Sequence, residues 1–365
     1  MINNLLHKIA LTLVPGIGPV FAKLLLQHLE VEDIFKAKKS TLSAIEGLGE
    51  IRVKNIREFQ NFDEAEKELA FIEKYKIEPL FIGDENYPKR LLNCYDPPTL
   101  LYYRGNADLN SSKIVAIVGS RMHTEYGKTI TEKLVEDLSS TNVLVVSGLA
   151  YGIDYLAHKA ALKNNMKTVG VLAHGLDKIY PSDHLNTAKE MVQHGGLLTE
   201  FMSKTKPDKH NFPSRNRIVA GMSDATIVVE TDIKGGSMIT AELANGYNKD
   251  VFAFPGKTTD KKSNGCNHLI KNNKAILLTD AKQLLETMGW QEKKKKEPKK
   301  TRELFIELTE EEKIIINILN NAETISIDDI NLLSGLSSSS VAVAILNLEM
   351  QNVIQSLPGK MYRLI

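Results

Sequence analysis

The chain has 365 residues, with 46 Lys and Arg against 45 Asp and Glu, and a formal net charge of +1. Hydrophobic residues make up 42% and charged residues 25%, as in ordinary globular proteins. A chain of this length is expected to form two or three domains. The near-zero net charge excludes a polycation, so any contact with nucleic acid must come from local clusters of cations.

The cysteines and the start of the chain bear on where the protein works. Cys94 and Cys266 offer neither a disulfide framework nor a zinc-ligand spacing, which fits a reducing cytoplasm. The first ten residues are too short an apolar stretch for a signal peptide, because His7 and Lys8 interrupt them. No apolar run reaches membrane-spanning length. We therefore expect a cytoplasmic protein without a membrane partner.

Residues 1–78 are predicted to form a helical domain. The glycine-containing turns Leu13–Pro19 and Ile45–Gly49 each lie between helical patterns, which predicts two helix-hairpin-helix units of the SAM-like kind. Backbone amides in such turns can face a phosphate. Only Lys23 and Lys54 are well placed after the turns, so we favour a structural or partner-docking role for this domain.

Residues 79–290 alternate strand-like and helix-like patterns. Continuous apolar runs indicate strands that are buried on both faces, and helical periods separate them. This alternation predicts an α/β domain with an extended Rossmann-like, doubly wound and mainly parallel sheet that carries extra strands. The predicted strands are Lys113–Val118, Val143–Val146, Thr168–Leu172, Ala225–Val229 and Val251–Phe254.

A basic run follows this domain. Residues 291–303 include four consecutive lysines and Pro298, which is typical of a solvated linker, although a nonspecific tether to nucleic acid is compatible with it. Residues 304–365 are predicted to form a winged-helix domain from three helices and a hairpin around Pro358–Lys360. Its third helix, Ser337–Met350, contains no Lys or Arg. We therefore expect a protein-docking or vestigial role instead of duplex reading.

Two glycine-containing loops follow the first two strong strands. Gly119, Ser120 and Arg121 end the first, and Ser147–Asp154 follows the second. Such loops gather at the carboxyl ends of parallel strands, where open α/β sheets bind ligands. Glycine amides suit an anion, and an arginine can fork onto a phosphate. Asp154 would repel a phosphate, so we expect it to cap amides or orient an arginine.

The most informative segment combines cations with an aromatic ring. Lys209, Arg215 and Arg217 surround Phe212. Cations that neutralise a backbone, interleaved with a ring on which a base can stack, are typical of single-stranded nucleic-acid binding. The alternative is that Phe212 belongs to the core and that the arginines form ion pairs with Asp154 or Glu200.

A further glycine turn, Gly235–Ser237, opens a helix after the fourth predicted central strand and offers an N-terminal anion site. Gly256–Thr258 resembles the end of a Walker A loop, but Val251 occupies the place of its first glycine. We therefore reject an ATPase.

A metal site would have to use His174, Asp177 and His184. Nothing else in the sequence fixes a coordination geometry around these three residues. We expect neither a metal nor a cofactor.

Taken in order, these motifs resemble the DNA-processing protein A family (DprA, also called Smf). The resemblance is dense over residues 80–290, and the flanking units match the family's three-part layout. It rests on the sequences Gly-Ser-Arg, Ser-Gly-Leu-Ala-x-Gly-Ile-Asp, Gly-Leu-Asp-x-x-Tyr-Pro, Phe-Pro-x-Arg-Asn-Arg-Ile-x-Ala-Gly, Gly-Ser-x-x-Thr-Ala, and Pro-Gly followed by Gly-Cys-Asn-x-Leu-Ile.

The resemblance implies a bacterial factor in natural transformation that is not an enzyme. Such a protein binds and protects incoming single-stranded DNA, loads the RecA recombinase onto it, and forms a homodimer through the Rossmann-like domain, here around Ile270–Leu278. The DNA-binding residues that it implies are Gly119, Ser120, Arg121, Ser147, Gly148, Leu149, Ala150, Gly152, Lys209, Phe212, Arg215, Asn216, Arg217, Gly236 and Ser237.

Two other functions remain open from the sequence. A phosphoribohydrolase-like enzyme acting on nucleoside monophosphates would use a similar sheet edge, with Glu200 or Glu230 as its acid. A nucleotide-sensing or scaffold protein would prefer a small ligand to a polymer. Release of bases from mononucleotides would reveal the enzyme, and displacement of a bound strand by a mononucleotide would reveal the sensor.

Overall fold

The computed structural model describes residues 2–291 and 308–365. They belong to two compact units, which cover residues 1–277 and 278–365. The first unit holds the N-terminal helices together with the large sheet, and the second holds the C-terminal helices and hairpin. The predicted linker, 291–303, lies outside the described residues from residue 292 onward, as does the start of the predicted winged-helix domain.

Six helices precede the first strand in the described range. Their apolar faces supply fully buried side chains, among them Ile9, Leu25, Leu42 and Ile56, to one core. The helices are α1 (Ile2–Leu13), α2 (Pro19–Leu26), α3 (Val31–Lys36), α4 (Lys39–Ser43), α5 (Glu50–Arg57) and α6 (Phe62–Tyr75).

The two predicted hairpins lie between α1 and α2 and between α4 and α5, and they are tied to each other. Arg52 donates to the carbonyls of Gly16 at 3.1 Å and Leu48 at 3.0 Å, and Asn55 donates to the Pro15 carbonyl at 2.8 Å. Because these side chains occupy the turn carbonyls, the hairpins form one rigid pair.

The first unit contains a nine-stranded sheet in the order β1-β2-β6-β5-β4-β3-β7-β8-β9. Seven neighbouring strands run parallel to one another, namely β6, β5, β4, β3, β7, β8 and β9. Strand β2 pairs antiparallel with both β1 and β6. The strands are β1 (Glu78–Phe81), β2 (Leu100–Gly105), β3 (Ile114–Val118), β4 (Leu144–Gly148), β5 (Thr168–Val171), β6 (Gly195–Thr199), β7 (Ala225–Val228), β8 (Asp250–Ala253) and β9 (Ile276–Leu277).

The predicted fold class is confirmed, because the apolar runs are the central strands. Every residue of β3, β4 and β5 is buried, as expected for strands covered on both faces. The remaining helices of this unit are α7 (Lys89–Leu92), α8 (Glu125–Leu138), α9 (Ile153–Lys163), α10 (Leu185–Gln193), α11 (Asn211–Gly221), α12 (Gly236–Gly246) and α13 (Asn264–Lys271).

The second unit contains the predicted winged helix. A capping box between Thr309 and Glu312 begins its first helix, and the Ser337 side chain caps the third. The short strand β10, which joins the hairpin into a three-stranded sheet, was not predicted. The elements are α14 (Ala281–Thr287), α15 (Glu310–Asn320), β10 (Ile325–Ser326), α16 (Ile327–Ser334), α17 (Ser338–Met350), β11 (Ile354–Leu357) and β12 (Met361–Leu364).

Within the described ranges, no single helix combines the length and apolarity needed to cross a membrane. The bent pair Ile327–Ser334 and Ser338–Met350 satisfies the length and composition test only when the two helices are taken together.

Candidate nucleic-acid interface

The sheet has a switch point between β3 and β7. From β3 the chain proceeds outward through β4, β5 and β6, and it then returns to the other side of β3 with β7, β8 and β9. The loops that follow β3 and β7 therefore diverge in opposite directions, which leaves a crevice outside the carboxyl ends of these strands.

A cleft of about 550 Å³ lies at this switch point. It brings together residues from the loops after β3, β4 and β7 and from α11. The predicted DNA-binding residues that line it are Gly119, Ser120, Arg121, Gly148, Ala150, Lys209, Phe212, Arg215, Asn216, Gly236 and Ser237.

Arg121 and Phe212 meet at the mouth of the cleft. The Arg121 guanidinium carbon lies 5.0 Å from the centre of the Phe212 ring. Arg121 is exposed and Phe212 is partly exposed, so Phe212 is not the core residue of the alternative prediction. This cation–π pair places a positive charge and an aromatic face side by side, where a phosphate and a base can both be reached.

Arg215 lies beneath the β4 loop. Its side chain is buried, and one guanidinium nitrogen donates to the Val171 carbonyl at 2.5 Å while Nε donates to Asn216 at 3.1 Å. A Cβ atom at Gly148 would collide with the guanidinium, so only glycine fits above it. Burial lowers the pKa of Arg215, and nearby Asp154 opposes that shift.

Asp154 has the architectural surroundings expected of it. It is buried in the first turn of α9, where burial raises the pKa of its carboxyl group and the Arg215 guanidinium and Ala150 amide oppose the rise. The carboxyl group therefore helps to hold Arg215 and the Ala150 loop in place.

The N-terminus of α12 also lines the cleft. Its N-cap residue, Gly235, makes no side-chain cap, so the first amides of the helix have no capping partner from that residue. Ser237 is buried in the first turn, and among the described residues its hydroxyl has no hydrogen-bond partner. A helix N-terminus with an available hydroxyl suits an anionic oxygen.

Residues 200–210, which connect β6 to α11 and carry Lys209, are called the basic loop. The N-terminal helical region holds the start of this loop. Glu68 of α6 is only 2% exposed, and its carboxylate accepts from the Ser203 amide at 2.9 and 3.0 Å and from the Ser203 hydroxyl at 2.5 Å. The Lys204 amide donates to Asp177 at 2.8 Å. Lys209 is exposed further along this loop. No pattern in the sequence predicts the Glu68 contact.

Three predicted residues support the cleft from behind. Ser147 is buried and donates to the Ile117 carbonyl at 2.6 Å, which joins β4 to β3. Leu149 is buried in an apolar cluster below the β4 loop. Gly152 precedes α9, whose first amide, that of Ile153, donates to the Ser120 carbonyl at 3.1 Å. Their positions connect the loops that carry the cleft.

Arg217 lies outside the cleft. It donates to the Glu200 carboxylate and to the Asp96 carbonyl, as the ion-pair alternative predicted. Burial raises the pKa of Glu200, and Arg217 opposes the rise. Glu230 is also buried, where it accepts from the Thr124 hydroxyl at 2.5 Å and from the Thr124 amide at 2.9 Å. Neither glutamate lines the cleft as the acid of a hydrolase would.

The side chains considered for a metal are used in other contacts. His174 Nδ1 lies 2.9 Å from the Gly175 carbonyl, and His184 Nδ1 lies 3.1 Å from the Leu149 carbonyl. Asp177 accepts from the backbone of the basic loop. In the part of the chain that the structure describes, no three His, Cys, Asp or Glu side chains are grouped as metal ligands.

Sequence reasoning missed other parts of the site. Val219, Thr231 and Ile239 line the cleft, but nothing in the local sequence distinguishes them from ordinary strand-end and helix residues. His158 is fully buried on α9, and its Nε2 lies 2.7 Å from the Gly148 carbonyl. It falls within a helical period that predicted only core packing.

The fold and the cleft define an α/β protein with an open cleft at the switch point of a mainly parallel sheet. A family model described as DNA recombination-mediator protein A matches residues 78–289. A SAM-like helix-hairpin-helix tandem model matches residues 8–59, and a DprA winged-helix model matches residues 298–360. The chain belongs to the DNA recombination-mediator protein A family, known as DprA or Smf.

Individual relatives agree with this assignment. Protein Smf of Synechocystis is 37% identical over 291 residues, which cover 78% of this chain and 72% of the relative. The DNA processing protein A structure from Streptococcus pneumoniae is 33% identical, covers 78% of this chain and 96% of that one, and gives a TM-score of 0.66. That of Helicobacter pylori, described with a single-stranded DNA binding mode, covers 58% and 95% at 33% identity, with a TM-score of 0.53.

Proposed function

We propose that the cleft binds single-stranded DNA and that the protein acts as a recombination mediator without catalysing a reaction. The observation that carries this proposal is that the Arg121–Phe212 pair and the α12 N-terminus line the same cleft. Arg121 and the Ser237 hydroxyl supply groups for phosphate oxygens, and Phe212 supplies a face for a base. The H. pylori relative, described with single-stranded DNA, supports the same ligand.

The internal use of the glutamates favours binding over catalysis. Glu200 is paired with Arg217, and Glu230 is bonded to Thr124, so both carboxylates have structural partners. A general acid must reach the atom that it protonates. Neither Glu200 nor Glu230, the two acids considered for a phosphoribohydrolase, lines this cleft.

The finer role follows from the family. We propose that the protein acts in the cytoplasm during natural transformation, where it protects incoming single strands and loads the RecA recombinase. We also propose a homodimer formed through the Rossmann-like domain. The last strand of the sheet, β9, supports this surface, because Ile276 and Leu277 are 41% and 40% exposed. Apolar side chains at a sheet edge suit contact with a second copy.

The deciding experiment measures binding of fluorescent poly-dT across a salt series, with duplex DNA and a mononucleotide as competitors. We expect tight binding that weakens with salt and that neither competitor displaces. Arg121→Glu should weaken binding strongly, whereas Arg104→Glu, an exposed arginine on β2 that does not line the cleft, should leave it unchanged. Displacement by the mononucleotide, or full binding by a folded Arg121→Glu variant, would contradict the proposal.

A further inference from the structure

A lysine-bearing loop lies beside the cleft and has no part in the function described so far. It connects β8 to α13 over residues 254–263, and Lys257 and Lys261 are exposed on it. Its one acidic residue, Asp260, is turned into the loop, where its carboxylate accepts from the Lys262 amide at 3.1 Å and from the Ser263 hydroxyl at 3.2 Å. The charge that the loop presents outward is therefore positive.

The loop is rigid because it is closed at its base. Asn267 accepts from the Gly256 amide at 3.2 Å and donates to the Gly256 carbonyl at 3.0 Å. A Cβ atom at Gly256 would collide with the buried Ser263 side chain, so the two ends of the loop pack directly on each other. Rigid placement of the lysines reduces the entropy lost when they bind an anion.

The same loop is joined to both sides of the cleft. The Lys262 ammonium donates to the Met122 carbonyl, next to Arg121. The Lys262 carbonyl accepts from the Thr231 amide at 2.8 Å, and Thr231 lines the cleft. In addition, the Tyr126 hydroxyl donates to the Pro255 carbonyl at 2.5 Å. The lysine loop is therefore part of the same framework as the cleft.

Sheet geometry places the loop in line with the cleft. Arg121 follows β3 and Lys257 follows β8, and these parallel strands are separated only by β7. Neighbouring strands lie about 4.8 Å apart, so the two strand ends are separated by about 10 Å along the sheet edge. A polymer of phosphates that leaves the cleft along this edge therefore passes the lysines of the loop after β8.

We propose that Lys257 and Lys261 form a second phosphate-contact site, so that a bound single strand continues from the central cleft across the carboxyl ends of β7 and β8. The ligand is the sugar–phosphate backbone of nucleotides beyond those in the cleft. This inference rests on the proposed function and adds the direction in which the strand leaves the cleft. Because lysines contact phosphates without reading bases, the site is independent of sequence.

The test compares Lys257→Ala/Lys261→Ala with wild type on poly-dT of about 5 and about 20 nucleotides, lengths within and beyond a typical compact footprint. Loss of two contacts should lower the slope of log affinity against log salt by about 1.4 and weaken long-strand binding about 25-fold at about 0.1 M salt. The short strand should bind as before. Lys262 is retained because its ammonium group ties the loop to Met122.

The matched control is Lys163→Ala/Lys189→Ala. Both lysines are exposed, and they lie on α9 and α10, away from the cleft. Equal losses in this control, an equal loss on the short strand, or an unchanged salt slope in the test variant would each overturn the path. If the test variant keeps wild-type affinity while Arg121→Glu loses it, the central cleft stands and the extension fails. If wild type does not bind poly-dT, the proposed function itself fails.

Discussion

At the scale of single residues, a substitution at Phe212 should affect DNA binding without affecting stability. Its ring is partly exposed and faces Arg121, so Phe212→Ala removes little buried surface. We expect the affinity for poly-dT to fall by about 1–3 kcal/mol, the usual contribution of one stacked base. The melting temperature should change by less than about 2 °C. Titrations and thermal melts of both proteins check this, and a large drop in melting temperature with unchanged affinity would contradict it.

His158 makes stability depend on pH. Burial lowers its pKa from 6.5 to about 4, so between these values the unfolded chain binds a proton that the folded protein excludes. The free energy of unfolding therefore falls as the pH drops, by about 2 kcal/mol between about pH 7 and about pH 5 from this group. In neutral His158, Nε2 donates to the Gly148 carbonyl.

The test is the variant His158→Gln, whose amide can still donate to that carbonyl. Urea unfolding at the two pH values should show a smaller loss of stability in the variant than in wild type. The carboxyl groups whose pKa is raised by burial, including Asp154 and Glu200, titrate in both proteins and cancel in the comparison. Equal pH dependence in the two proteins would exclude His158 as the source.

At the scale of elements, helix α6 holds the basic loop. Glu68→Ala removes an acceptor for the Ser203 amide and hydroxyl, a buried contact between segments far apart in the chain. We expect faster amide exchange over residues 203–209 and an affinity for poly-dT lowered about threefold, because the loop lysines must then be ordered on binding. Glu66→Ala, an exposed glutamate on the same helix, is the control and should change neither. Unchanged exchange in the Glu68 variant would show that the loop is held by its other contacts.

The elements themselves were largely predictable, whereas their contacts were not. Apolar runs identified the buried parallel strands, since both faces of β3 to β5 are covered. Periodicity cannot tell which cation is buried, and Arg215 lies under Gly148 only because the sheet brings α11 below the β4 loop. Glu68 and Ser203 are 135 positions apart, so no local pattern could pair them.

At the scale of the whole molecule, the exposed edge of the sheet should determine assembly. Ile276→Lys/Leu277→Lys replaces apolar side chains on β9 with charges that repel their symmetry mates across a two-fold contact. If the dimer forms there, sedimentation will show wild-type dimers and variant monomers with the same circular dichroism. A dimeric variant would assign the contact to another surface.

The layout of the whole chain was predicted from the order of its motifs. The net charge of +1 could not indicate the cations at one edge of the sheet, because acidic residues elsewhere balance them. The glycine loops occur in the order of the strands, and a parallel sheet brings such loops to one edge. The winged-helix unit followed from its helix spacing and hairpin. The lysines of the loop after β8 were not predicted as phosphate contacts, because Gly256–Thr258 was compared only with a nucleotide-binding loop.

The close packing of the Gly148 backbone on the Arg215 side chain limits which substitutions the two positions can accept. A Cβ atom at position 148 would occupy the space of the Arg215 guanidinium, so a side chain at 148 requires a shorter residue at 215. We expect either substitution alone to be harmful. A side chain at 148 collides with Arg215, and a shorter residue at 215 removes the guanidinium that donates to the Val171 carbonyl. Evolution along this line must cross a fitness valley, and directed evolution of the cleft should find both positions fixed unless they are randomised together.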